Sequence, residues 1–199
     1  MVAVAHSGSW QVLERRRVSV VDEKIAGHAQ PYHFAREQAL AEAKKHLARC
    51  AIASLRLAQA ALTEVVDQLS RDYRVTGAAV LLSSGRPLPE LDRILASHPL
   101  IHTAEGEFFR NAFSEACEAL GIPVTGIREK ELAERAQAVF KKSAAAMPAE
   151  LAAAAKHRGP PWSQDQKAAA LAAAVVLGEQ EDSTTLSRSS LGFRAATSR

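Results

Sequence analysis

The chain has 199 residues, 47% of them hydrophobic and 24% charged, with a formal net charge of +3 and a sequence pI near 9.0. That is enough apolar material for one medium globular domain, and the basic balance permits an acidic partner without requiring one. No run approaches the roughly 18 apolar residues of a membrane span, and the opening MVAVAHSGSW lacks the basic flank and apolar core of a signal peptide. Cys50 and Cys117 both fall where an amphipathic helix would bury them as reduced thiols, so the expected compartment is cytoplasmic.

Residues 2–5 and 11–21 read as short β segments around the turn His6-Ser7-Gly8-Ser9, making two antiparallel strands, or three if a further turn falls near Glu14–Arg16. Residues 22–32, with Gly27 and Pro31, read as a loop. From about Phe34 to Leu69 apolar residues recur at steps of three and four, which predicts one long amphipathic helix or two with a bend. RVTGAAVLL, 74–82, is a near-continuous apolar run of strand length and predicts a buried central strand. Pro87 and Pro89 open a short helix to about Ser97. A second helix is expected from about Thr103 to Leu120, closed by Gly121, with Pro99 placing its start between His98 and His102. Residues 122–127 read as a strand, and 129–142 and 143–158 as helices. A last helix is capped by Ser163, with Asp165 in its first turn. The polar, Ser/Thr-rich tail 179–199 reads as disordered, leaving a single domain over 1–178.

The densest chemistry lies in SHPLIHTAEGEFFRN, residues 97–111. His98, His102 and Glu105 form H-x3-H-x2-E, a spacing that sets three ligands on one helical face. Glu105 and Glu107 suit metal ligation or acid/base work, and equally suit the positive end of a helix dipole. Arg86, after Ser83-Ser84-Gly85, has the setting of a phosphate contact, and Arg110 is a second cation for the same role. Arg15, Arg16 and Arg17 are a further basic group, split between opposite faces by strand alternation. No Walker loop, dinucleotide glycine fingerprint, CxxC pair or G-x-S-x-G elbow is present, which disfavours nucleotide-fuelled enzymes and hydrolases of those types.

The element order resembles that of the ribonuclease-H-like superfamily, in its RuvC-type, Holliday-junction-resolvase branch. VAVAHSGSWQVLE resembles the first-strand motif, SEACEALGIPVTGIREKEL the helix, glycine and fifth strand, and PPWSQDQKAAALAAAVVL the closing helix. The resemblance implies an α/β fold with a mixed five-stranded sheet, three antiparallel strands then parallel ones, and helices on both faces. It implies a metal-dependent nuclease, or a binder of structured nucleic acid, with magnesium or manganese held by carboxylates from separate elements. Glu105 or Glu107 would be the middle acid and Asp165 the last, with His102 beside them. His6 stands where the family has its first aspartate, and imidazole is a poor magnesium ligand. Two alternatives follow: an inactive, fold-retaining interaction protein that dimerises through 34–69, or a small metalloprotein using His98, His102 and Glu105.

Overall fold

The computed structural model describes the backbone of residues 1–83 and 87–192. In chain order the elements are β1 (Val2–His6), β2 (Trp10–Arg15), α1 (Pro31–Arg36), α2 (Leu40–Leu69), β3 (Ala78–Leu82), α3 (Leu91–Leu95), α4 (His98–Ala119), β4 (Val124–Arg128), α5 (Leu132–Phe140), α6 (Met147–Ala154) and α7 (Gln164–Gly192). Single 3-10 turns sit at Glu129–Glu131, Lys141–Ser143 and Lys156–Arg158. The chain divides into two compact units. The first comprises Met1 and Arg16–Glu129; the second comprises Val2–Arg15 and the chain from Lys130 on.

The first unit is organised around α2, whose apolar periodicity buries Ala43, His46, Cys50, Ala53, Ser54, Ala58, Leu62 and Val65 on one stripe. α4 packs along it. The meeting faces are built from small side chains: Ala58, Ala112, Ala116 and Cys117 join Val20, Leu62 and Ile122 in one cluster, so the helices need no large residue between them. The expected helix from Phe34 is two helices: α1 starts earlier, with Pro31 in its first turn, and α2 follows after a break. α1 lies against both α2 and α4. The apolar stripe that suggested dimerisation is thus covered within the unit, although Ile52, on the same helix, is 71% exposed.

α4 ends in a Schellman arrangement: Ile122 N–H donates to the Cys117 carbonyl at 2.9 Å and Gly121 N–H to that of Glu118 at 2.9 Å. Gly121 takes φ +69°, a conformation that glycine adopts without penalty. β3 and β4 pair in parallel, Ala78 opposite Val124 through Leu82 opposite Arg128, joined by α3 and α4.

In the second unit β1 and β2 form an antiparallel hairpin, His6 opposite Trp10, with an irregularity between Ala3 and Val4. Its core gathers Met147, Leu151, Ala170 and Ala174 with Val2, Val4, Trp10, Phe140 and Trp162 around them. The Ser163 cap is reciprocal: Gln166 N–H donates to Ser163 Oγ at 3.3 Å and Ser163 N–H to Gln166 Oε1 at 3.1 Å. Arg15 donates to the carbonyls of Arg158, Gly159, Pro160 and Pro161, and Arg158 donates back to those of Val12 and Leu13. α7 continues past Gly178 to Gly192, where a tail was expected; 193–199 lie outside the described residues.

The five-stranded mixed sheet of a ribonuclease-H-like fold is not what this chain forms. The described residues are mostly helical and carry two separate two-stranded sheets, β1–β2 and β3–β4. The third antiparallel strand is missing for a local reason. Beyond Arg16, Val18 and Val20 alternate inward as a strand would, but among the described residues no strand lies beside them; the Val20 carbonyl accepts a hydrogen bond from Ser54 Oγ of α2 at 2.8 Å instead. Nor is β3 a central strand. Among the described residues it pairs only with β4, and its five residues are half-buried.

Candidate metal centre

Three imidazoles and one carboxylate meet where α1 lies against α4. α4 begins at His98, one residue before Pro99, because a proline in the first turn loses no hydrogen bond a helix would have made there. Both histidines are therefore helical. His98, His102 and Glu105 stand at i, i+4 and i+7 on one face. The Thr103 hydroxyl turns back within the helix and donates to the Pro99 carbonyl at 3.1 Å. α1 brings His33 across. Its ring centroid lies 5.3 Å from that of His98 and 4.9 Å from that of His102, and the latter two are 4.4 Å apart.

One ligand atom from each of His33, His98 and His102 lies within 4.8 Å of the others. A tetrahedral zinc with Zn–N bonds of about 2.0–2.1 Å holds its nitrogens roughly 3.3 Å apart, so closure needs a shift of about 1.5 Å. His98 and His102 are exposed, while His33 is half-buried and held. Glu105 does the holding. Its Oε1 accepts the His33 backbone N–H at 3.1 Å, and both its oxygens lie 3.0 Å from His33 Nδ1. With side-chain exposures of 24% for His33 and 12% for Glu105 the hydrogen bond is shielded from water, which strengthens it over the same bond made at the surface. A carboxylate on Nδ1 places the proton there and leaves Nε2 with its lone pair, the arrangement typical of a histidine that ligates a metal. Three imidazoles suit zinc, copper, iron or nickel rather than magnesium, and three protein ligands leave a position open.

No family model matches this chain, and no curated protein or solved structure matches it.

The other residues singled out from the sequence fall elsewhere. Glu107 lines a pocket with Tyr32, Phe108, Asn111 and Glu115. Burial there, reinforced by the charges of Glu107 and Glu105, pushes the Tyr32 hydroxyl above its usual range. His6 and Asp165 belong to the second unit. His6 stacks near Trp10 at 4.7 Å and its Nδ1 lies 3.8 Å from Glu181. Asp165 is exposed in the first turn of α7, sixteen residues before Glu181 and so roughly 24 Å along the helix. His6 and Asp165 therefore do not share a site. Arg86 lies outside the described residues. Arg16 pairs with Glu64 at 2.7 Å, and Arg15 is spent on backbone carbonyls.

Two further constellations look reactive and are not. His28 Nδ1 accepts the Asp22 N–H at 2.9 Å, so its Nε2 carries the proton and donates to Ser54 Oγ at 2.8 Å, while the Ser54 hydroxyl donates to Val20. An imidazole that donates to a serine cannot deprotonate it. Cys50 Sγ lies 3.4 Å from His46 Nε2, but burial pushes the thiol up and the imidazole down, which keeps both neutral.

His33 was the residue that sequence reasoning missed. It sits 65 residues before His98, at the edge of a segment read as loop, and only its partner Glu105 was already in view.

Proposed function

We propose that the first unit binds a divalent transition metal, zinc above all, through His33, His98 and His102, with Glu105 orienting His33. The observation that carries this reading is the convergence of three imidazoles with a carboxylate on the outer nitrogen of the least mobile one. A metal bound there keeps an open position toward solvent and acts as a Lewis acid on a bound water or an oxygen of a ligand. The reading keeps the metalloprotein alternative drawn from the sequence, with His33 added as a ligand and Glu105 moved from ligand to orienting group. The nuclease reading drew on carboxylates brought together by a five-stranded sheet, and no observation favours it over this centre.

Calorimetric titration of chelator-treated, tag-free protein with zinc tests the proposal. One equivalent should bind, and His102→Ala, an exposed position whose loss leaves the core intact, should weaken it at least tenfold. Equal binding by the variant would refute the assignment.

A further inference from the structure

The first unit holds a cavity of about 160 Å³ that no residue of the metal centre lines. One face of α4 makes its floor: Ala104, Phe108, Asn111 and Glu115 follow one another at steps of three and four, with Glu107 beside them. Tyr32 of α1 stands edge to face with Phe108, ring centroids 6.2 Å apart at 83°, and Leu88 adds an apolar side. The charges that reach the cavity are all of one sign. Glu107 is half-buried and Glu115 exposed, and neither carboxylate is in an ion pair or accepts a hydrogen bond. Among the described residues no lysine, arginine or histidine lines the cavity. A partly buried carboxylate without a partner is costly, and a cation offsets that cost where an anion would add to it. Glu115 follows Glu107 by eight residues, which puts it about 12 Å further along the axis; both side chains lean the same way, so the carboxylates keep roughly that spacing, with the aromatic surface between them.

We propose that this cavity binds a short aliphatic diamine as its dication, one ammonium at Glu107 and the other at Glu115. Volume and length agree. A cavity of about 150 Å³ takes benzene, and 1,4-diaminobutane has the same number of non-hydrogen atoms. Its nitrogens stand about 6 Å apart when the chain is extended, and an ammonium–carboxylate contact of about 2.8 Å at each end brings the span to about 12 Å. The methylene chain lies along Phe108, Tyr32 and Leu88, where apolar contact holds it and a ring face attracts an ammonium. Ala51, Asn111 and Glu115 are exposed, so the site opens to water and an entering cation keeps part of its hydration. The site needs no metal and stands independently of the centre described above.

The test is calorimetric titration of the full chain with 1,4-diaminobutane, with chelator present so that no amine binds through a metal. 1-Aminobutane and butan-1-ol are the comparison probes. One equivalent of the diamine should bind, the monoamine at least tenfold more weakly, and the alcohol not measurably. Glu107→Gln and Glu115→Gln should each lose at least tenfold in affinity for the diamine. Glu118→Gln removes a nearby exposed charge that does not line the cavity, and should bind as wild type does. Ala51→Leu, at an exposed lining position on α2, keeps both carboxylates and should lose at least tenfold by filling the space, so it reports even if a charge variant folds poorly. No binding of the diamine by wild type, the alcohol binding as tightly as the diamine, unchanged affinity in Glu107→Gln or Ala51→Leu, or an equal loss in Glu118→Gln would overturn the inference. None of these results bears on zinc uptake, which is read in a separate titration without chelator.

Discussion

Replacing Glu105 by Gln separates orienting a ligand from simply filling space. The amide is nearly isosteric, and its Oε1 still accepts the His33 backbone N–H now made at 3.1 Å, so the contact of α1 with α4 survives. What is lost is the negative charge facing His33 Nδ1 from two oxygens at 3.0 Å, which fixes the tautomer and the orientation of the ring. Loss of such an outer partner costs about 10–100-fold in metal affinity, roughly 1.4–2.7 kcal/mol. Because a metal that binds only the folded chain stabilises it in proportion to ln(1 + [L]/Kd), the same variant should gain less melting temperature from added zinc. Zinc calorimetry and thermal unfolding with and without zinc measure both effects. A Glu105→Gln protein that unfolds like wild type without zinc and binds zinc as tightly would refute the orienting role.

Other expectations concern the frame. Ile101 is fully buried between the two ligand turns of α4, so Ile101→Ala should cost about 3 kcal/mol in urea unfolding. A loss under about 1 kcal/mol would mean that this face of α4 is not packed as described. Cys50 and Cys117 are buried and burial pushes both thiols up, so alkylation of the native chain should be slow and become complete on unfolding; rapid native labelling of either would contradict the packing of α2 and α4. Burial, with Arg49 and His28, holds His46 below its ordinary value of 6.5. The unfolded chain then takes up a proton that the folded chain refuses, so with chelator present stability should fall as pH drops below about 6.5, and less steeply in His46→Gln. Identical pH profiles for the two proteins would show that His46 is not the group responsible. Ser163→Ala removes one half of the cap on α7 and should cost about 1 kcal/mol, read from chemical unfolding followed by circular dichroism; no change would mean that the cap is not formed in solution.

What was legible in the sequence was local. The three-and-four spacing of α2, the glycine after α4 and the Ser163 cap each report an interaction within a few residues. The third strand failed because alternation at Val18 and Val20 records which side faces a core, whereas a strand exists only if another backbone lies alongside, and here the partner is the Ser54 hydroxyl. The start of α4 was misplaced because Pro99 read as a boundary although a first turn accepts it. That one-turn difference decides whether His98 and His102 share a helix. The resemblance to a ribonuclease-H-like order followed the succession of elements, but succession does not say that β1–β2 and β3–β4 join into one sheet. Three of the four residues of the candidate site, His98, His102 and Glu105, could be read from their spacing; His33 could not, since only packing brings α1 onto α4.

The most direct test of the account is X-ray absorption at the zinc edge of the protein loaded with one equivalent of zinc. The account predicts three imidazole nitrogens at about 2.0–2.1 Å and one light non-protein ligand. Fewer than three imidazoles, or sulfur in the first shell, would contradict it.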